Sequence, residues 1–334
     1  MSLDLFLGKA PSGAPAVLRD PENPHVSISG RSGCGKSFFL KNLLHQAVRQ
    51  GACCIVFDYT GDFGEYIPPD DIPTKRTDVT SPAFTINPLV SFSDQSADVR
   101  AQQLLSLLHG AFRMGVRAST ALRNATREYL AESEAPSLGG LLGFVEKSSP
   151  STGLIAATEP LQLLVTLFHS GDTPISLDLT QPSLTILDFN RVIDRDLRKL
   201  GIELILQTIW DHRISKHLSG SPGLVLVLDE AQNLAWGQNG MAIRILREGR
   251  KYGIGGWFAS QWIDNKTAIA ALGQAALQAH FRPDDQHVQQ LARLICPTGG
   301  ADLARYRGLI QSLQRGQFIW DKDDGKVIKV IVSE

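Results

Sequence analysis

The stretch Ser27-Ile-Ser-Gly-Arg-Ser-Gly-Cys-Gly-Lys-Ser-Phe-Phe39 decides the fold. Within it, Gly30 to Ser37 has the spacing G-x-x-x-x-G-K-[ST]. An apolar run, His25–Ser29, precedes it and a helical pattern continues to about Arg49. Strand, glycine loop and helix in that order make a phosphate cradle. The glycines let the backbone curl until successive N–H groups face a phosphate. The helix N-terminus adds partial positive charge. On this reading Gly30, Arg31, Ser32, Gly33, Cys34, Gly35, Lys36, Ser37 and Phe38 line a nucleotide site. Lys36 reaches the β- and γ-phosphates, and the Ser37 hydroxyl holds Mg²⁺. Cys34 reads as a small residue that fits the loop.

Working outward, apolar runs of five or six residues alternate with helical segments. Cys53–Asp58 (CCIVFD), Leu184–Phe189, Leu224–Asp229, Gly255–Ser260 and Ala279–Pro283 read as further strands. Such runs suit a parallel sheet covered on both faces. One segment breaks the alternation. Residues 97–172, beginning with patterns such as VRAQQLLSLLHGAF, show helical periods and no strand, and read as an α-helical insertion between the second and third strands. The tail Gly316–Val332 reads as a β-hairpin with KDDGK as its turn. The expectation is a single α/β domain over 1–334: a RecA-like P-loop NTPase with a mostly parallel, doubly wound sheet, the insertion, and the C-terminal hairpin.

LVLVLDEAQ supplies the expected partner of the phosphate loop. An apolar strand ending in Asp229-Glu230 places carboxylates at the sheet edge. Asp229 would hold Mg²⁺ through water, and Glu230 would take a proton from an attacking water. ATP and Mg²⁺ are the expected ligands.

The chain of 334 residues has a formal net charge of −1. That excludes a generally basic nucleic-acid binder, so any nucleic-acid contact is local. Four cysteines without CxxC or zinc spacing suit a reducing cytoplasm. The N-terminus lacks a basic start followed by an apolar core, and no apolar run approaches about 20 residues. Neither a leader nor membrane insertion is expected. No LSGGQ-like, N-K-x-D, HExxH or G-x-S-x-G stretch occurs. These absences favour an ATPase coupled to motion.

Five stretches resemble the HerA/FtsK superfamily of ring-forming DNA-pumping ATPases. They are Leu7–Ser37, where such motors place a hairpin before the phosphate loop; IVFDYTGDF, with Asp62 in the acidic place; Ile86–Leu89 (INPL); LDEAQNL, similar to DEAHN; and Leu246–Gln261, similar to REGRKYG…ATQ. The likeness covers nearly the whole chain except the helical insertion. It implies that Gln261 senses the γ-phosphate and that Arg250 acts on a neighbour's ATP, with Arg247 the competing candidate. A finger acting in trans implies a homo-hexamer. It also implies double-stranded DNA as the track and a partner nuclease or effector, in repair or phage defence. Ala235–Ala242 and Trp262–Ala270, with Lys266, read as pore loops tracking phosphates. Only about 25 residues precede the phosphate-loop strand, so the chain reads as a minimal motor core. A scaffold ring without translocation, a conjugation or secretion ATPase and a genome-packaging ATPase remain as alternatives.

Overall fold

The computed structural model describes residues 3–90, 95–112, 114–148, 152–171, 173, 175–215, 223–237, 240–296, 301–321 and 327–332. Its strands are β1 (Leu5–Lys9), β2 (Pro15–Leu18), β3 (Val26–Ser29), β4 (Cys53–Asp58), β5 (Thr74–Asp78), β6 (Ser183–Asp188), β7 (Leu224–Leu228), β8 (Ile254–Ser260), β9 (Leu277–Phe281), β10 (Gln317–Asp321) and β11 (Val327–Ile331). They form one sheet in the order β2-β1-β11-β10-β9-β3-β8-β7-β4-β6-β5. From β9 to β5 all neighbours are parallel. From β9 outward to β2 they are antiparallel.

The central strands are apolar throughout because both faces are covered. In β4, Cys53, Ile55 and Phe57 join one apolar cluster, while Cys54 and Val56 join another. In β7, Leu224, Leu226 and Leu228 divide from Val225 and Val227 in the same way. This is the period-two alternation of a strand with a core on each side. Helix α1 (Lys36–Arg49) covers the second cluster with Phe39, Leu40, Leu43 and Leu44. Helices α6 (Arg195–Ser215) and α7 (Met241–Glu248) cover the first.

Four helices lie between β5 and β6: α2 (Ala97–Ala111), α3 (Val116–Glu132), α4 (Leu138–Lys147) and α5 (Thr152–Leu167). Ser96 and Ser137 cap α2 and α4 by accepting bonds from Val99 N and Gly140 N. The four helices share the apolar cluster of α6, on which α2 packs. The remaining α-helices among the described residues are α8 (Lys266–Leu272), α9 (Val288–Ile295) and α10 (Ala301–Gln311). Among the described residues, no helix is long and apolar enough to cross a membrane.

One strand differs from the expectation. β5 was not legible, so the helical segment follows it rather than β4 directly. Its sequence, TKRTD, buries only Thr77, because β5 is the edge of the sheet and pairs on one side alone. An edge strand with a polar face has no apolar run to betray it. The C-terminal hairpin β10–β11 forms, and its register runs from Gln317↔Ile331 to Asp321↔Val327. The KDDGK turn lies outside the described residues.

Candidate active site

The parallel strands end at one edge, and their terminal residues build the site. Register places Ser29 beside Ser260 and His280. Gly30 follows at φ 150°, and an added Cβ there would lie 2.6 Å from Phe281 Cβ and 3.0 Å from Cys34 Sγ. Gly33 and Gly35 also have positive φ, 73° and 109°. The loop is fastened where it begins: Gly30 N donates to Ser260 O at 3.2 Å, and Arg31 N to Arg282 O at 2.9 Å. Its far side rests on the turn before β10, where Gly316 N donates to Cys34 O at 2.9 Å.

Lys36 is buried, and its Nζ donates to Gly30 O at 2.7 Å and Arg31 O at 3.0 Å. Arg31, Ser32, Gly33 and Phe38 are exposed, and Ser37 is half-buried. Cys34 is buried, and burial pushes its thiol up from the ordinary range. All four cysteines are free.

β8 lies between the phosphate-loop strand β3 and β7. At the end of β7, Asp229 is 5% exposed. Its Oδ1 accepts from Glu230 N at 2.9 Å, while Oδ2 is buried without a partner. Burial first, then Glu230, Asp62 and Asp58, push its carboxyl up to about 7. A buried carboxylate oxygen with no donor, at the end of a strand one removed from the phosphate-loop strand, is a ligand type that suits a hard cation such as Mg²⁺.

Glu230 adopts φ 51°, ψ 43°, a left-handed conformation that turns the chain sharply into the short helix Ala231–Asn233. Its carboxylate accepts from Gln232 Nε2 and from Gln261 Nε2, the latter at 3.3 Å to both oxygens. Gln261 follows β8, and its backbone N donates to Gln232 Oε1 at 3.3 Å. The acid and the sensor candidate therefore meet across one strand boundary.

Arg250 lies elsewhere. It sits in the short helix Gly249–Tyr252 that precedes β8, at the opposite edge of the sheet. It is 60% exposed, with Glu22 as partner at 3.6 Å. Arg247 closes α7 and is also exposed. β8 has seven residues, about 20 Å of chain at strand rise. That is longer than an arginine side chain, so neither guanidinium reaches the phosphate loop of its own subunit.

The expected pore loops are more fastened than their sequences suggest. Ala235 and Trp236 are buried, and Trp236 Nε1 donates to Ala231 O at 2.7 Å. Gly237 is exposed, and Gln238 and Asn239 lie outside the described residues. In the second loop Trp262 stacks on His287 with centroids 4.3 Å apart, and Asn265 caps α8. Asp264, Asn265 and Lys266 are exposed.

Sequence reasoning passed over three residues here. Asp58 ends β4 fully buried and accepts from Gly61 N at 2.9 Å and Phe63 N at 3.1 Å, shaping the turn that carries Asp62. Burial raises its carboxyl. An apolar run closed by Asp, the pattern shared with β7, was the available signal. Gln232 was visible only as a letter in a motif. Gly316, at φ 76°, had no signal beyond a glycine after a helix.

Residues 13–134 match the family model described as the central domain of helicase HerA. Over that stretch the chain is similar to the HerA central domain. The matched part spans the phosphate loop, β4, β5, α2 and α3. Solved structures extend the likeness in fold. VirB4 of Thermoanaerobacter pseudethanolicus superposes at TM-score 0.77 with 17% identity, over 99% of this chain and 96% of that one. The bacterial conjugative coupling protein TrwB, lacking its N-terminal 70 residues and complexed with sulphate, gives 0.67 with 18% identity, over 98% and 90%. TrwB in complex with ADP and Mg²⁺ gives 0.63 with 17% identity, over 98% and 90%. No curated protein sequence matches the chain.

Proposed function

We propose that this chain is the motor subunit of a homo-hexameric ring that hydrolyses ATP to move double-stranded DNA, together with a partner nuclease or effector. One observation supports it most. Lys36, Ser37, Asp229, Glu230 and Gln261 converge on one sheet edge, while Arg250 is stranded at the other. A site whose cation stands a sheet's width away is completed by a second copy of the chain, and repetition of that contact closes a ring.

The chemistry follows from the side chains. Loop N–H groups and Lys36 would hold the β- and γ-phosphates. Ser37 and Asp229 would hold Mg²⁺, which neutralises phosphate charge when bound. Glu230 would accept the proton of the attacking water as its oxygen bonds to the γ-phosphorus. The bond from that phosphorus to the bridging oxygen breaks, and ADP leaves with the electron pair. Gln261 would orient the water and a γ-phosphate oxygen. Arg250 of the neighbouring subunit would stabilise charge in the transition state, in preference to Arg247.

A conjugation-type ATPase is the second reading. The breadth of the fold shared with VirB4 and TrwB favours it, and it uses the same site. The test is ATP hydrolysis by wild type and Lys36→Ala with and without linear duplex DNA. The motor reading expects turnover that Lys36→Ala abolishes and duplex stimulates. Turnover indifferent to duplex would overturn it in favour of a scaffold or a protein-handling ATPase.

A further inference from the structure

Glu230 can serve as a base only if its carboxylate is aimed, and its own backbone does little to aim it. The residue sits alone in a left-handed turn, and its side chain is half-exposed. Two amides hold the carboxylate. One belongs to Gln261, at 3.3 Å from either oxygen, a long contact for an N–H donor. The other belongs to Gln232, two residues further along the chain. Gln232 is engaged at both ends, because its Oε1 accepts from the backbone N of Gln261 at 3.3 Å. The short helix that presents Gln232 is itself pinned. Trp236 Nε1 holds Ala231 O at 2.7 Å, and Arg195 donates to Asn233 Oδ1 at 2.9 Å. Strand order fixes the direction: β3, β8 and β7 are successive neighbours, so Glu230 leaning onto Gln261 leans towards the phosphate loop.

We infer that Gln232 is the positioning residue of the hydrolytic site: its amide aims the Glu230 carboxylate across the end of β8 and ties that aim to the placement of Gln261. This rests on the reading of Glu230 as the base. The two-ended bond has a second consequence. A displacement of the end of β8, where the Trp262–Lys266 segment begins, passes through a single side chain to the base. An amide suits the role, because it offers a donor to the carboxylate and an acceptor to the backbone at once.

The test compares Gln232→Leu, Gln232→His, Glu230→Gln and the double variant Gln232→Leu/Glu230→Gln by steady-state ATP hydrolysis, with thermal melts on each. Leucine keeps the bulk and removes both hydrogen bonds. The expected result for Gln232→Leu is about a tenfold lower kcat at unchanged KM and unchanged melting temperature, as one factor of the 10²–10⁴ that a positioned base supplies. Histidine can donate from one ring nitrogen and accept at the other, and should restore most of the rate. The double variant should be no slower than Glu230→Gln alone, because Gln232 acts through Glu230. An additive loss in the double variant, a KM effect of the same size, or full activity in Gln232→Leu would overturn the inference. Full activity in Glu230→Gln would instead overturn the reading of the base on which it rests.

Discussion

Glu203 gives the sharpest quantitative prediction. It lies on α6, 7% exposed, and its Oε2 accepts from Met241 N, the first residue of α7, at 2.9 Å. The other oxygen, Oε1, is buried without a partner. Burial raises its carboxyl from 4.5 to about 7, against smaller opposing contributions from Met241 N and Lys199. The folded chain therefore keeps a proton that the unfolded chain releases. Below pH 4.5 both states are protonated and the group is neutral in stability. Between pH 4.5 and about 7 stability falls as pH rises, and above that the cost is constant. At about 1.4 kcal/mol per pH unit the full cost is about 3 kcal/mol. Glu203→Gln removes the charge yet keeps an acceptor for Met241 N, and an NH₂ replaces an oxygen that had no partner anyway. Urea melts should show the variant more stable by about 3 kcal/mol at pH 8 and by less than about 1 kcal/mol at pH 5. For a chain of this length the gain at pH 8 corresponds to roughly 4 °C in melting temperature. A difference that does not change between pH 5 and 8, or a variant less stable at pH 8, would refute the argument. The site is also a lever on the proposed ring contact, because α7 contains Arg247 and leads to Arg250.

Arg250→Ala should lower kcat by about 10³-fold or more, the scale of a trans-acting arginine, while Arg247→Ala changes it little. Mixing Arg250→Ala with Lys36→Ala should restore hydrolysis, since each supplies the part the other lacks. A loss confined to Arg247→Ala would reverse the assignment. Gly30→Ala should abolish nucleotide binding measured by calorimetry, because its Cβ would meet Phe281 Cβ at 2.6 Å at φ 150°. Gly33→Ala, with nothing within 4 Å of its Cβ and φ 73°, should cost only the left-handed strain of about 1–2 kcal/mol and retain binding.

The sheet was readable where burial forces apolar runs, as in CCIVFD and LVLVL, and where a helix follows a loop of glycines. It was unreadable at β5, whose five residues bury one side chain. The strand-end acids could be read because a carboxylate closing an apolar strand stands out against it. What the sequence withheld was the connection between those groups. That Gln232 bridges Glu230 to Gln261 depends on β8 lying beside β7, and strand order is written in no local pattern. The same holds for Arg250. Its likeness to a trans-acting arginine could be read from EGRKYG, but that its own phosphate loop lies beyond reach follows only from the length of β8. Within Ala235–Ala242, the bond from Trp236 to Ala231 O likewise had no local signal.

The most direct test of the account is displacement of a third-strand oligonucleotide from linear duplex DNA by the purified protein with ATP. The account predicts release by wild type that needs ATP and fails in Glu230→Gln. Vigorous hydrolysis with the third strand left in place would contradict translocation.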